Sequence, residues 1–298
     1  MDKIYTLNFD AMGSRCQVKL SARSHEVAEA LAAPAIAEVR RIEHKYSRYR
    51  EDSLLSHINA AAGKQAVNID PETAELFAYA DTLFQASSGL FDISSGILRR
   101  AWDFKQPQLP TEATLAPLLE KIGWQKIRRE QHDIFLPEAG MEIDFGGFGK
   151  EYAVDRAATI LLERGVNSGV IDLGGDLRIL GPQPNGEAWM IGIADPRQEG
   201  KICASLPVYS GALATSGDYE RYVEIAGQRY CHILHPHTGY PVRYWRSVSV
   251  LAPVCIAAGS YSTIAMLKEK QATTWLAESG LACLLIDAEG SKTSINSP

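Results

Sequence analysis

The chain has 298 residues, of which 46% are hydrophobic, with a formal net charge of −6 and a sequence pI near 5.7. This length suits one large domain or two small ones, and the acidic balance argues against a nucleic-acid-binding surface, which would be basic. The five cysteines form no C-x-x-C pair, and their odd number does not suit a disulfide framework.

The sequence carries no obvious targeting or membrane signal. The N-terminal stretch MDKIYTLNFDAMGS has no basic segment followed by an apolar one, and no apolar run reaches the length of a membrane span. Free cysteines suit a reducing compartment. We therefore expect a cytoplasmic protein without a signal peptide or a membrane anchor of its own.

The first elements in chain order are two short strands and a long helix. The strands are expected near residues 4–9 and 16–20, separated by the turn DAMGSR. Residues 25–46 show apolar side chains near helical spacing, and Pro34 inside this pattern predicts a kink or a late start.

Later helices are marked by their ends. Asp70 is a candidate N-cap and Pro71 suits the first helical position, so a helix should run from there to the Ser-Ser-Gly at 87–89. Further helices are expected at 149–164, ended by Gly165, at 257–268 and at 272–279.

Between the helices lie segments of strand character. They are DIFLP, MEID, GVIDL, LRILG, WMIGIAD, ERYVEIAG, QRYCHIL, SVSVLAP and ACLLIDA, and the pair ERYVEIAGQRYCHIL predicts a hairpin about Ala226-Gly227. Because strands and helices alternate without a regular βαβ order, we expect one α+β domain over residues 1–298.

A glycine-rich segment, DFGGFGKEYAVD at 144–155, predicts a phosphate site. A strand ending at Asp144 passes through glycines into a helix that begins near Lys150. The N–H groups at a helix start bind anionic oxygens, and the lysine would add a positive charge. The alternative is a tight turn with a solvated lysine.

Two other polar segments allow two interpretations each. DLGGDLRILG at 172–181 is better explained as a turn between two strands. ATSGDYERY at 214–222 either presents the hydroxyls of Thr215 and Ser216 to a ligand or starts a strand.

Three histidines stand close together in HILHPHTG at 232–239. On a strand, His232 and His235 would point to opposite faces, and His237 follows in a turn around a proline. No cysteine or carboxylate follows at zinc spacing. We therefore interpret one histidine as acting on a ligand and two as loop residues.

Taken in order, seven segments resemble the ApbE family of flavin transferases, which move FMN from FAD onto a threonine or serine of a partner protein. The segments are AMGS at 11–14, YSRYREDSLLSHIN at 46–59, GLFDISSG at 89–96, DFGGFGKEYAVD at 144–155, DLGGD at 172–176, ATSGDYERY at 214–222 and HILHPHTGYPV at 232–242. The resemblance implies an ApbE-like α+β fold with mixed or antiparallel sheets, flanking helices and a flavin-nucleotide cleft.

The resemblance also assigns roles to individual residues. It implies contacts with FAD for Met12, Tyr49, Leu90, Phe91, Asp92, Asp144, Lys150, His232 and Ile233, and Mg²⁺ binding for the Gly147 carbonyl and Thr263. His232 is the candidate general base, and Lys150 the candidate charge on the phosphates.

Two positions depart from the family pattern. His235 stands where the family has an aspartate, and Gly259 stands where it has the aspartate that binds Mg²⁺ together with the threonine four residues later. The loss of a carboxylate should weaken a Mg²⁺ site, although Mg²⁺ often retains water and phosphate ligands.

The expected activity is therefore Mg²⁺-dependent transfer of FMN from FAD to a Thr or Ser hydroxyl of an acceptor flavoprotein, through a phosphodiester bond and with release of AMP. Three alternatives remain open at this point. They are a Mg²⁺-dependent FAD pyrophosphatase, a non-catalytic FAD-binding protein, and a zinc enzyme that uses all three histidines.

Overall fold

The computed structural model describes residues 2–297. The helices are α1 (His25–Tyr46), α2 (Leu54–Ala60), α3 (Pro71–Ala86), α4 (Glu112–Leu119), α5 (Gly149–Glu163), α6 (Cys255–Lys268) and α7 (Ala272–Ser279), with short 3₁₀ helices at Ile93–Arg100, Trp124–Lys126 and Glu269–Gln271. The strands are β1 (Lys3–Ala11), β2 (Ser14–Ala22), β3 (Val67–Asn68), β4 (Arg128–Glu130), β5 (Asp133–Phe135), β6 (Gly169–Leu173), β7 (Asp176–Gly181), β8 (Trp189–Ala194), β9 (Ile202–Val208), β10 (Gly211–Gly217), β11 (Tyr222–Ile225), β12 (Gln228–Cys231), β13 (Trp245–Ala252), β14 (Ala282–Asp287) and β15 (Lys292–Ile295).

A large antiparallel sheet organises the fold. Its eight strands lie in the order β1-β2-β6-β7-β10-β13-β14-β15, and every neighbouring pair is antiparallel. The ends of β6 and β7 are joined by a tight turn at Gly174 and Gly175, both with positive φ, which glycine adopts at little cost. This turn was expected from the sequence and lies at the candidate site described below.

The two faces of this sheet are covered differently. Helices α1, α5 and α6 pack together on one face, and their apolar sides form the main core with the sheet. The β8–β9 ribbon contributes Ile191, Ile193 and Val208 to a smaller cluster on residues such as Val170 and Leu213. Burial of these apolar surfaces provides most of the driving force for folding.

Most expected elements are confirmed. Helix α3 has Asp70 as its N-cap, with the carboxylate accepting the Thr73 N–H at 3.1 Å, and Pro71 in its first turn. The hairpin about Ala226-Gly227 joins β11 and β12, with positive φ at both turn residues. The α+β fold class with antiparallel sheets is also as expected.

One expected strand is wrong. Residues 141–144 alternate between buried and partly exposed positions, as in a strand, but they pair with no neighbouring strand. The Asn59 side chain instead bonds both the N–H and the carbonyl of Ile143, at 2.8 and 3.0 Å, and the Asp144 N–H donates to the Ile93 carbonyl at 2.9 Å. Alternation therefore correctly indicated burial, but a side chain satisfies the backbone groups in place of a second strand.

Helices α5 and α6 are joined by an unusual cap. The first residue of α6 is preceded by Val254, which offers no side-chain cap. The carboxylate of Asp155 on α5 instead accepts the N–H groups of Cys255 and Ile256, at 2.9 and 2.8 Å. A carboxylate at a helix N-terminus accepts hydrogen bonds from the free backbone N–H groups and interacts favourably with the helix dipole. This contact therefore fixes α6 against α5.

None of the helices in residues 2–297 has the length and apolar character needed to cross a membrane.

Candidate active site

The glycine loop before α5 places Lys150 among acidic groups. Its ammonium lies 2.9 Å from Oδ2 of Asp176 and 3.4 Å from the Gly174 carbonyl. Burial alone would lower the pKa of Lys150, but the carboxylates of Asp176 and Glu151 outweigh it and raise the pKa. The lysine is therefore held in its charged form and is not the solvated side chain of the alternative interpretation.

Glu151, the next residue on α5, is the least expected group of the site. Its side chain is buried, and its Oε2 atom has no hydrogen-bond partner in the described part of the chain. Burial, followed by the neighbouring Asp176 carboxylate, raises the pKa of Glu151 well above its usual value. A Cβ atom at Gly259 on α6 would lie only 2.5 Å from Cγ and 2.6 Å from Oε1 of Glu151.

The two residues expected to bind Mg²⁺ lie on α6 and in the loop before α5. Thr263 follows Gly259 by one turn of α6, and its hydroxyl is 3.0 Å from the Ser216 hydroxyl on β10. Gly147 lies in the loop before α5, where a Cβ atom would meet the Phe91 ring at 2.6 Å. The glycine is therefore required at this position by the close approach of the aromatic ring.

His232 faces the same region from the chain segment after β12. Its Nδ1 is 3.3 Å from the Arg221 carbonyl, and because a carbonyl only accepts, Nδ1 carries the proton and Nε2 the lone pair. The pKa of His232 is lowered to about 4, mainly by burial, with smaller contributions from the Arg221 and Lys150 charges and an opposing effect of that carbonyl. The imidazole is therefore neutral at pH 7. The next residue, Ile233, is buried in the main core.

His235 and His237 lie in a turn, as expected. The His237 N–H donates to Nδ1 of His235 at 3.2 Å, and the Gly239 N–H closes the turn on the His235 carbonyl at 2.9 Å. Over residues 2–297, no group of three or more His, Cys, Asp or Glu side chains is arranged to hold a metal ion.

A second cluster surrounds Asp144. Its carboxylate pairs with Arg99 and, at 3.5 Å, with Arg48. Both arginines also bond the Tyr49 hydroxyl, at 3.1 and 2.9 Å, and the Arg48 guanidinium lies 4.6 Å from the Tyr49 ring centre. The Tyr49 side chain is 76% exposed, so much of its ring is free to stack on a ligand.

The remaining residues for which contacts with FAD are predicted have different surroundings in the fold. Met12 adopts positive φ in the β1–β2 turn, where its N–H donates to Glu43. Leu90 packs against the core, and the buried Phe91 stacks on Phe148 with ring centres 6.2 Å apart. Asp92 directs its carboxylate inward, accepting the Ser94 N–H at 2.8 Å and the Trp124 N–H at 3.0 Å.

Comparison with known proteins identifies the family of this chain. A profile of the ApbE family matches residues 12–285. The chain belongs to the ApbE family. A crystal structure of the ApbE protein of Thermotoga maritima superimposes with a TM-score of 0.91 and 30% identity, covering 98% of this chain and 97% of that one. The flavinyl transferase ApbE of Pseudomonas stutzeri does so with a TM-score of 0.86 and 27% identity, covering 99% and 95%.

Curated relatives of this ApbE chain are enzymes. The FAD:protein FMN transferase of Klebsiella pneumoniae is 30% identical over 246 residues, which are 81% of this chain and 75% of that protein. The FAD:protein FMN transferase of Haemophilus influenzae is 28% identical over 306 residues, covering 95% of this chain and 86% of that protein. The resemblance inferred from the seven segments is thereby confirmed.

Sequence reasoning did not single out Glu151, Asp176, Arg48 or Arg99. All four lie inside or next to segments that it did select, but their roles depend on contacts between distant parts of the chain, such as Lys150 with Asp176 and Asp144 with Arg99. Asp176 had a usable signal, because it is the acidic residue that ends DLGGD directly after two turn glycines.

Proposed function

We propose that this protein transfers FMN from FAD to a threonine or serine hydroxyl of an acceptor flavoprotein, forming a phosphodiester bond and releasing AMP. Membership of the ApbE family supports flavin transfer. The observation that carries the proposal is the charged Lys150 at the N-terminus of α5, directly after the glycine loop and held by Asp176 at 2.9 Å. A positively charged side chain beside the free N–H groups of a helix N-terminus is suited to bind the pyrophosphate of FAD.

The proposed step is a displacement at phosphorus. The acceptor oxygen forms a bond to the FMN phosphorus while the bond from that phosphorus to the bridging oxygen breaks, and AMP leaves with the bridging oxygen. Little covalent chemistry is required of the protein, so catalysis consists mainly of positioning the two partners and stabilising negative charge. Lys150 and the N–H groups at the start of α5 would do this on the phosphate oxygens.

His232 is the proposed base for the acceptor hydroxyl. Its Nδ1–H is directed at the Arg221 carbonyl, which leaves Nε2 unprotonated. The low pKa of about 4 keeps the imidazole neutral, so Nε2 is available at all pH values near neutrality. Asp144, Arg48 and Arg99 would hold Tyr49 against a ring of the cofactor.

The residues of the site fit a magnesium ion. The Thr263 hydroxyl and the Gly147 carbonyl would supply oxygen ligands of the kind that Mg²⁺ prefers. Oε2 of Glu151, which is buried and has no hydrogen-bond partner in the described residues, is a further oxygen nearby. When bound, Mg²⁺ neutralises charge on the pyrophosphate oxygens.

The proposal is tested by incubating the protein with FAD and Mg²⁺, with and without a flavin-acceptor domain that carries a surface threonine. In-gel fluorescence reports covalent flavin, and chromatography reports AMP and FMN. Covalent flavin on the acceptor together with AMP is the expected result. FMN and AMP in the absence of acceptor would indicate a pyrophosphatase, and intact bound FAD with a competent acceptor would indicate a binding protein.

A further inference from the structure

We propose that Glu151 on α5 is the protein carboxylate that binds the divalent cation of this site, in place of a carboxylate on α6. The inference rests on the proposed function for the identity of the phosphate ligand, although the cation site itself is testable without any transfer reaction. It explains how the chain dispenses with an acidic residue at Gly259.

The Glu151 side chain fills the space beside Gly259. Because a Cβ at position 259 would lie within 2.6 Å of the Glu151 side chain, the Glu151 carboxylate occupies the space into which a side chain from α6 would project. Contacts under about 3 Å are not tolerated without movement, so glycine at 259 accommodates the glutamate at 151 as it stands, whereas aspartate at 259 would force the Glu151 side chain to move. A carboxylate thus reaches the same position from the neighbouring helix.

The site buries two carboxyl groups beside a single lysine, Lys150. Glu151 on α5 and Asp176 at the start of β7 are both buried, and their carboxyl groups interact directly. Lys150 neutralises one of these two carboxylates, at 2.9 Å from Asp176. The second negative charge still requires a proton or a cation, because an isolated buried carboxylate is very costly.

The site also contains oxygen atoms that are available to bind a cation. Oε2 of Glu151 is buried and accepts no hydrogen bond in the described part of the chain. Buried polar atoms without partners are rare in native proteins and often indicate an ion or a water that is part of the site. Thr263 lies one turn beyond Gly259 on α6, so its hydroxyl approaches from the same helix face as the missing side chain. Hard oxygen ligands of this kind select Mg²⁺, Mn²⁺ or Ca²⁺.

The test measures cation binding directly. Mn²⁺, which is visible by electron paramagnetic resonance, is titrated into the protein with ADP, which presents a pyrophosphate but has no FMN to transfer. Buffer containing ADP alone corrects for chelation by the nucleotide. We expect one Mn²⁺ per chain, and we expect Glu151→Gln to raise the Kd by about 10- to 100-fold, as for the loss of a contact with a charged group. Glu163→Gln, at the exposed end of the same helix, is the matched control and should bind as the wild type does.

A carboxylate exchange gives the sharper result. In the double variant Glu151→Gly with Gly259→Asp, the aspartate enters space that the glutamate has vacated, and Mn²⁺ binding should return to within about tenfold of the wild type. The single variant Gly259→Asp should lower the melting temperature, because its Cβ meets the Glu151 side chain. If Glu151→Gln does not fold, the folded double variant still decides the matter.

Several outcomes would overturn the inference. Glu151→Gln binding Mn²⁺ as tightly as the wild type would exclude Glu151 as a ligand. A folded double variant that binds none would refute the claim that the Glu151 carboxylate stands in place of one on α6. A wild-type protein that transfers flavin but binds no Mn²⁺ with ADP would refute the cation site and leave the proposed function intact. A protein that binds Mn²⁺ through Glu151 but modifies no acceptor would support the cation site and refute the proposed function.

Discussion

Replacement of His232 distinguishes a role as general base from a purely structural role. The ring makes one identified hydrogen bond, from Nδ1–H to the Arg221 carbonyl at 3.3 Å, and its Nε2 is the atom available for a proton. The amide nitrogen of an asparagine lies near the position of Nδ1, so His232→Asn can retain the bond to Arg221 while removing the basic atom. His232→Ala removes both.

The expected loss of rate can be bounded. A positioned general base contributes about 10²–10⁴-fold, and its efficiency falls as its pKa moves away from the operating pH. Burial lowers the pKa of His232 to about 4, well below neutrality, so we expect the lower part of that range. His232→Asn and His232→Ala should both slow transfer by about 10²–10³-fold, which corresponds to about 2.7–4 kcal/mol of activation free energy.

The assay is single-turnover transfer to an acceptor domain at saturating FAD, followed by in-gel fluorescence. In the wild type, the single-turnover rate constant should show no inflection from His232 between pH 6 and 8, because the imidazole is already neutral there. The reasoning would be refuted if His232→Asn kept more than about a tenth of the wild-type rate while His232→Ala did not, since the hydrogen bond to Arg221 would then be the role of this residue.

Three further predictions concern binding and stability. Tyr49→Ala should raise the Kd for FAD about 3- to 10-fold, the equivalent of one ring stack, without lowering the melting temperature, because the ring is 76% exposed; Tyr49→Phe should bind as the wild type does in a flavin fluorescence titration. Asp155→Ala should cost about 1–3 kcal/mol in urea unfolding, because the Cys255 and Ile256 N–H groups lose their acceptor, and a smaller cost would mean that water replaces the cap. Burial alone would raise the pKa of Glu72, but Arg41, Lys45 and Tyr152 lower it to about 2 from 4.5. The contribution of the Glu72 carboxylate to the free energy of unfolding should therefore be complete above pH 4.5 and lost as the pH falls towards 2. After allowance for solvent screening we expect Glu72→Gln to lower the free energy of unfolding by about 1–2 kcal/mol at pH 7 and by less at pH 3, and an equal loss at both values would contradict this linkage.

Local signals in the sequence predicted those elements whose ends are set by local chemistry. Helix α3 begins after Asp70 because an aspartate followed by proline satisfies and preorganises the first turn, and both features are visible in the sequence. The β11–β12 turn at Ala226-Gly227 was likewise predictable from the residues themselves. In contrast, Met141–Asp144 has the alternation of a strand but its backbone partners belong to Asn59 and Ile93, which no local pattern reveals.

The candidate site shows the same division. Lys150 was predicted because a glycine loop before a helix is a local pattern, whereas His232 was selected among the three histidines by the resemblance to the family. Glu151 was missed because an acidic residue in the first turn of a helix usually indicates a solvated, dipole-stabilising side chain. Its burial results from α6, which approaches closely because Gly259 has no side chain.

The contact between Asp155 and the start of α6 links these observations. Residues 151 and 155 are four apart on α5 and therefore lie on the same helix face, so the cap that fixes Cys255 also fixes the position of Glu151 relative to Gly259. A shift of α6 by even a fraction of an ångström would change the space available to the Glu151 carboxylate. Loss of the Asp155 cap should therefore weaken Mn²⁺ binding as well as stability. Loss of the Glu72 carboxylate, which bonds Arg41, Lys45 and the Tyr152 hydroxyl on a different face of α5, should affect stability alone. Comparison of the two variants at matched unfolding free energy would show whether α5 and α6 position the cation site together.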